Sequence, residues 1–195
     1  MGEVNSYAIF DFLFVAERLK SIHIGDISEF EVNLISYYAC LLSLYDGRPV
    51  SFWGYKFLRN QSGVPISDSL VSSRKALVSA MELAPNDDFL RISSKGQERL
   101  EALRDLMCFK QRKKYLQAAC SCLAYMPAGV FRAALFQEPL IGTSVEESVG
   151  YLVDDSNAAL PLLYDHFSMM KSTLGECTDV RIPAFLWLRF LRETK

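Results

Sequence analysis

The residues that could perform catalysis are few in this chain of 195 amino acids. It contains two histidines, His23 and His166, and neither lies near a serine or cysteine in a recognised nucleophile motif. The sequence also lacks a phosphate-binding glycine loop and a dinucleotide-binding fingerprint. We therefore expect a protein that is not an enzyme and that binds no cofactor.

A metal-dependent nuclease is the enzymatic alternative that the acidic residues leave open. A nuclease could use Asp87, Asp88 and the Glu193-x-Lys195 pair together with a metal ion. The first pair falls in a predicted turn and the second at the chain terminus, and neither position holds side chains rigidly. A nuclease is therefore a distant alternative.

The five cysteines indicate reduced, buried thiols, with no metal site. Their number is odd and they form no C-x-x-C pair, so they do not resemble a disulfide framework. Cys108, Cys120 and Cys122 with a histidine could supply four zinc ligands, but their spacing is not that of a zinc finger or ribbon. Free cysteine packs as a small hydrophobic residue.

Basic residues are concentrated in the middle of the chain. Two basic residues stand against seven acidic ones in residues 1–47 (net −5), thirteen against seven in 48–114 (net +6), and six against nine in 115–195 (net −3). A basic segment between acidic flanks is typical of an anion-binding face, although the same charges could simply solvate helices.

Double-stranded DNA is the anion that this basic segment suggests. Hydroxyl and cationic side chains at a helix start suit phosphate oxygens, while the residues that usually read base edges are missing, so we expect sequence-independent contact. The densest basic cluster, Lys110, Arg112, Lys113 and Lys114, lies on or beside a predicted helix, and it would also contact phosphates or else would only solvate that helix. The candidate nucleic-acid-binding residues are Ser69, Ser72, Ser73, Arg74, Lys75, Arg91, Lys95, Lys110, Arg112, Lys113 and Lys114.

The composition and the lengths of the apolar runs indicate what class of protein carries these residues. Half of the chain is hydrophobic and 12% is aromatic, which excludes a disordered protein. The apolar run 8–16 is interrupted by Asp11 and preceded by Glu3, so it is not a signal peptide, and no span is long enough for a bilayer. We expect a cytoplasmic protein.

Two N-terminal helices are predicted first. Residues 6–20 carry apolar side chains at helical spacing, and the next helix begins with a capping box of Ser28 and Glu31, buries Phe30 and ends at Asp46. The aromatic segment 51–59 and the turn-forming residues that follow it, Asn60, Gln61, Ser62, Gly63 and Pro65, predict a tight turn. A third helix follows, which Ser67 caps and which faces Met81 inward. The pattern predicts helix, turn, helix.

A small β-hairpin and further helices are predicted next. Residues 85–88 form a turn and residues 89–93 alternate as a half-buried strand does. Ser94 and Gln97 have capping-box spacing before a long helical stretch that reaches Tyr125 with a break. Helices over 130–136, 157–171 (with Pro161 in its first turn) and 184–192, and a capping box at residues 144–147, complete the chain.

The middle of the chain resembles bacterial winged-helix proteins, in which an aromatic helix end, a glycine turn, a helix and a strand follow one another. The resemblance covers residues 52–140. The family includes transcription regulators, antitoxin-like proteins and the middle component of three-component defence systems built around an SMC- or Rad50-like ATPase. The matching residues are Tyr55-Lys56-Phe57, Gly63, Ser67, Leu70, Leu90 to Gly96, Leu100 and Leu135 to Pro139.

The C-terminal segment 180–191 has too many large apolar residues for one helical face. Some of them must pack in the core or against another chain, and aromatic residues dominate the energetics of such interfaces. The candidate partner-binding residues are Phe185, Trp187, Leu188 and Phe190.

We therefore predict a mostly α (α+β) protein: a winged helix with a small hairpin wing, embedded in flanking helices. Residues 1–47 pack on the core, residues 48–126 form the winged helix and residues 127–195 dock a partner. The expected function is that of a non-enzymatic adaptor in a bacterial multi-protein complex, by resemblance an SMC-like ATPase complex active in antiviral defence. The alternative is a free dimeric winged-helix transcription regulator.

Overall fold

The computed structural model describes residues 4–22, 25–142, 150–175 and 177–193, which form a mostly helical fold with two small antiparallel hairpins. This confirms the mostly α class but does not confirm the winged-helix assignment. The helices are α1 (Ser6–Ser21), α2 (Glu29–Tyr45), α3 (Asp68–Ser79), α4 (Ser94–Arg104), α5 (Met107–Tyr125), α6 (Ala128–Leu135), α7 (Pro139–Gly142), α8 (Leu160–Leu174) and α9 (Arg181–Glu193). The strands are β1 (Leu58–Arg59), β2 (Pro65–Ile66), β3 (Leu83–Asn86) and β4 (Phe89–Ile92).

Helices α1 and α2 form the centre of the molecule. Ten of the sixteen residues of α1 and fourteen of the seventeen residues of α2 are buried. A helix that is apolar on all sides must be surrounded by other elements, and α2 packs against α1, α3 and α5. Buried residues from the N-terminal, middle and C-terminal segments belong to one hydrophobic cluster.

The capping box of α2 is confirmed. The Glu31 N–H donates to Ser28 Oγ at 3.2 Å, and the Ser28 N–H donates to the Glu31 carboxylate at 2.8 Å. The predicted burial of Phe30 is wrong, because its side chain lies on the outer side of the first turn and is 36% exposed. Met81 is also exposed, since α3 ends before it and its positive φ of 59° turns the chain outward.

The predicted tight turn between two helices is wrong. A 3-10 helix, Val50–Trp53, and the β1–β2 hairpin connect α2 to α3 instead. The aromatic side chains of Trp53 and Phe57 are buried and anchor this connection, so the chain cannot pass directly from helix to helix. The Asn60 side chain accepts the N–H groups of Ser62 and Val64, which closes the hairpin turn.

The β3–β4 hairpin lies where the sequence predicted it, but its turn is shorter than predicted, because Pro85 and Asn86 belong to strand β3 and only residues 87–88 form the turn. Leu90 and Ile92 are buried, as the alternating pattern requires. The cap of α4 is one residue earlier than predicted: the Ser93 hydroxyl accepts the Gly96 N–H. A Cβ on Gly96 would lie 2.2 Å from the Glu82 carbonyl oxygen, so this close contact between α4 and the hairpin requires glycine.

The C-terminal half is helical as expected. The predicted break separates α4 from α5, and Pro161 lies in the first turn of α8. The predicted capping box at residues 144–147 lies outside the described residues. No helix in the described ranges combines the length and the apolar character needed to cross a bilayer.

A buried carboxyl group connects α7 to the central helix α2. Glu138 is fully buried, and its oxygens accept the Tyr37 hydroxyl at 2.8 Å and the N–H groups of Leu140 and Ile141 at 2.9 and 2.6 Å. Burial raises the pKa of Glu138 to about 7, although these hydrogen bonds favour the charged form.

The raised pKa makes Glu138 a source of pH-dependent stability. The folded chain holds this proton more tightly than the unfolded chain, so the stabilisation is complete below the unfolded pKa near 4.5 and is lost as pH rises through about 7. Between about pH 5 and pH 8 the wild type should lose up to about 3 kcal/mol more unfolding free energy than Glu138→Gln. Urea unfolding measures this difference; Glu98→Gln is the exposed control, and parallel pH profiles for wild type and Glu138→Gln would contradict it.

Candidate functional site

Arg112, which the sequence predicted to contact DNA, lies in the core. Its side chain is 1% exposed and forms a two-pronged ion pair with Asp11 of α1, with N···O distances of 2.5 and 2.6 Å. A third nitrogen donates to the Trp53 carbonyl oxygen at 2.6 Å. The prediction for Arg112 is wrong because the inner face of α5, where it lies, packs against α1.

Aromatic rings complete the surroundings of the Arg112 guanidinium. Its central carbon lies 3.7 Å from the ring centroid of Trp53, and the Tyr55 hydroxyl donates to the other partner, Asp11. Burial raises the pKa of Asp11 while the Arg112 charge opposes this shift. Desolvation lowers the pKa of Arg112, but the Asp11 carboxylate outweighs it and keeps the guanidinium protonated.

Three other candidate cations also meet carboxylates of the N-terminal segment. Arg91 makes two hydrogen bonds to Asp26, at 2.8 and 2.9 Å. Arg74 lies 3.3 Å from a Glu29 oxygen, and Lys114 lies 2.6 Å from an Asp46 oxygen. The acidic N-terminal segment thus neutralises much of the basic middle.

Several of the remaining candidates are either bound within the chain or buried. Lys95 donates to the Ala80 carbonyl oxygen at 2.9 Å. Ser73 is fully buried, so its predicted DNA contact is wrong, while Ser69 is half-buried and Ser72 is exposed. The tip of the β3–β4 hairpin is acidic, with Asp87 and Asp88 both exposed.

Besides Lys95, three lysines of the predicted set make no ion pair with any residue in the described ranges. They are Lys75 on α3 and Lys110 and Lys113 on α5, and Lys113 is itself half-buried. The structure therefore does not bring the eleven candidates together as one cationic surface.

The C-terminal candidates divide between the core and the surface. Trp187 and Leu188 are fully buried, so their predicted role as partner contacts is wrong. The Trp187 ring stacks on Tyr38 at 5.7 Å and meets Phe167 edge-on at 5.0 Å. Phe185 and Phe190 are each 37% exposed on the opposite side of α9.

Exposed apolar residues are concentrated on α8 and α9. Seven of the fifteen large hydrophobic residues that are exposed in the described chain belong to these two helices. The ring of His166 contacts Phe190 at 5.4 Å and joins a stripe on α8 to a stripe on α9. We call this surface the C-terminal apolar face, and its residues are Leu162, His166, Met169, Ile182, Phe185, Leu186 and Phe190.

Among the residues that the structure describes, the charges beside the C-terminal apolar face are incompletely balanced. Arg189 and Arg192 both pair with Glu193, at 3.0 and 3.8 Å, so two cations share one carboxylate. His166 Nδ1 is buried and has no hydrogen-bond partner in the described part of the chain. Desolvation lowers the pKa of His166, which keeps the imidazole neutral at this surface.

The cysteines are free but not all are buried. Cys40, Cys120 and Cys122 lie in the core, and burial raises the pKa of the Cys122 thiol to about 12, which makes it a poor nucleophile. Cys108 is exposed and Cys177 half-buried, so the expectation of burial is wrong for these two. In the described ranges, no group of three or more histidine, cysteine or acidic residues converges on one point.

Sequence reasoning missed two functional groups of the core, Asp11 and Glu138. Each is a carboxyl group within an apolar stretch, and that is a usable signal because a buried charge needs a partner. The partner of Asp11 is 101 residues away, so its identity was not visible in local sequence. Besides the capping box at residues 144–147, two candidate residues, His23 and Lys195, lie outside the described residues.

A scan against protein-family models finds no match for this chain. Searches of curated proteins and of solved structures give no significant match.

Removing the cation of the buried pair should destabilise the protein strongly. Arg112→Met leaves the Asp11 carboxylate buried and unpaired, which typically lowers the unfolding free energy by about 3 to 5 kcal/mol. The double variant Asp11→Leu, Arg112→Met removes both charges and should recover most of that loss.

Chemical denaturation of the two variants measures both effects. Lys110→Met is the control, since this exposed lysine of the same helix should change the unfolding free energy by less than about 0.5 kcal/mol. Equal stability of Arg112→Met and Lys110→Met would contradict the buried ion pair.

Proposed function

We propose that this chain is a non-enzymatic adaptor that binds a partner protein through the C-terminal apolar face. The observation that carries the proposal is the division of α9 into two apolar sides. One side, with Trp187, Leu188 and Leu191, is buried in the core, and the other, with Phe185 and Leu186, is exposed. Residues of the inner side hold the outer side in a fixed orientation.

The composition of the C-terminal apolar face supports protein binding. Contiguous exposed apolar patches on folded proteins commonly mark interaction sites. Aromatic, methionine and arginine residues are enriched at protein interfaces, and this face has Phe185 and Met169 with Arg189 beside them. These side chains are already held by packed helices, so binding would cost little conformational entropy for ordering the chain.

The occupant is a different protein, with an apolar strip bordered by carboxylates. Arg189 and Arg192 share Glu193, so a carboxylate from the partner would complete the charge balance at this end of α9. A second copy fits less well. In a two-fold contact between the α9 helices of two copies, each end of the helix carries an arginine, Arg181 or Arg192. Every such contact would therefore bring an arginine of one copy against an arginine of the other.

The resemblance of residues 52–140 supports a partner of the SMC- or Rad50-like ATPase class in a bacterial cytoplasmic complex. The same resemblance supports the proposal that the middle of the chain is a winged helix. DNA contact has a secondary role. It would depend on Lys75, Lys110 and Lys113, because most of the other cations pair internally. Binding through so few phosphate contacts should be weak, indifferent to sequence and sensitive to salt.

Charges placed on the C-terminal apolar face should abolish partner binding. The double variant Phe185→Glu, Phe190→Glu puts carboxylates in the apolar contact and should weaken the complex with the native partner at least about tenfold. The test isolates the tagged full chain from its native host at low salt, identifies the co-eluting subunits and measures the dissociation constant of the purified complex.

Met107→Glu is the matched control, since Met107 is 74% exposed on a different helix and should leave the complex unchanged. Co-elution of a large coiled-coil ATPase that the double variant no longer binds would support the proposal. A lone symmetric dimer that protects one palindromic DNA site would instead support the alternative, a transcription regulator. Unchanged partner binding by the double variant would exclude this face as the docking surface.

A further inference from the structure

The surface between the first turn of α2 and the start of α6 is concave. A groove of about 210 Å³ opens there, with Leu34, Ile35, Leu123 and Phe131 among its apolar lining and Phe30 at its edge. This volume is below the roughly 300 to 1,000 Å³ of pockets that bury drug-sized ligands. The groove therefore suits a single large apolar side chain better than a cofactor.

The polar groups of the groove are satisfied within the chain, with one exception. The carboxylate of Glu31 accepts the N–H and the hydroxyl of Ser28, at 2.8 and 2.9 Å, in the capping box of α2. Arg132, by contrast, forms no ion pair with any residue of the described chain. Its guanidinium lies over the rings of Phe30 and Phe136, at 5.2 and 5.3 Å from their centroids.

Two aromatic rings thus hold an exposed guanidinium beside an apolar groove. Stacking on aromatic faces leaves the nitrogen edge of an arginine available, and this edge matches the two oxygens of a carboxylate. We infer that the groove binds a peptide segment of another protein in which a leucine or aromatic residue, the anchor, is followed by an acidic residue. The anchor occupies the groove and the acidic side chain pairs with Arg132.

This site gives the chain a docking surface in addition to the C-terminal apolar face. Phe131, which lines the groove, packs against Tyr38, and Tyr38 packs against Trp187 of α9. One layer of packed rings therefore holds both surfaces in a fixed relation. The inference does not depend on the adaptor proposal, because binding to the groove can be measured on the isolated chain.

Three dipeptide probes, acetylated and amidated at their ends, separate the two parts of the inference. Leu-Asp carries the anchor and the charge, Leu-Asn lacks the charge and Ala-Asp lacks the anchor. In a backbone amide NMR titration of the full chain, Leu-Asp should shift the signals of Phe30, Leu34 and residues 128–132. Leu-Asn and Ala-Asp should each bind at least about threefold more weakly, and added salt should weaken only the probes that carry aspartate.

Two variants test the assignment of the site. Arg132→Gln should reduce Leu-Asp binding to the level of Leu-Asn, whereas Arg99→Gln, at an exposed arginine of α4, should leave it unchanged. Gly129→Leu adds a side chain to a residue that lines the groove, and its Cβ meets no atom within 4 Å, so this variant should fold and lose binding of every probe.

Equal binding of Leu-Asp and Leu-Asn, shifts confined to other residues, or no shifts at millimolar probe would each overturn the inference. The double variant Phe185→Glu, Phe190→Glu should bind the probes normally. If this double variant loses its partner but still binds the probes, the two surfaces act independently. A failure of the groove inference can then be told apart from a failure of the C-terminal apolar face.

Discussion

The buried ion pair between Asp11 and Arg112 is the interaction on which the rest of the structure depends. It joins α1 to α5, and its hydrogen bonds to the Trp53 carbonyl and from the Tyr55 hydroxyl attach the segment that follows α2. A buried charge without its partner is strongly unfavourable, so arrangements of these elements that separate the two charges inside the core are disfavoured. The other helices pack around the core that α1, α2 and α5 form.

Ion pairing within the fold also explains why acidic residues are concentrated in residues 1–47 and basic residues in residues 48–114. Five of the seven acidic residues in 1–47 pair with cations of the middle segment: Asp11 with Arg112, Glu17 with Arg104, Asp26 with Arg91, Glu29 with Arg74, and Asp46 with Lys114. Opposite charge in two parts of a chain is thus used here for attraction within the fold. A net positive segment does not by itself indicate a nucleic-acid surface when a negative segment lies within reach.

Local features could be predicted from the sequence, whereas the direction of side chains toward distant elements could not. The capping box of Ser28 and Glu31 and the position of Pro161 depend on neighbouring residues only, and both predictions are confirmed. Arg112 and Trp187 were wrongly placed at the surface because their partners, Asp11 and Tyr38, are more than a hundred residues away in the chain. The C-terminal apolar face was predicted only in part: periodicity identified an excess of apolar residues in α9, but only packing shows which of them face outward.

The central claim is that the C-terminal apolar face of α8 and α9, not the basic middle segment, contacts the partner. Hydroxyl-radical footprinting tests it most directly, by comparing the isolated chain with the same chain in its native complex. We predict that oxidation of Met169, Phe185 and Leu186 falls in the complex while that of Met107, beside Lys110, stays the same. Unchanged oxidation of Met169, Phe185 and Leu186, with protection around Met107 and Lys110, would contradict the account.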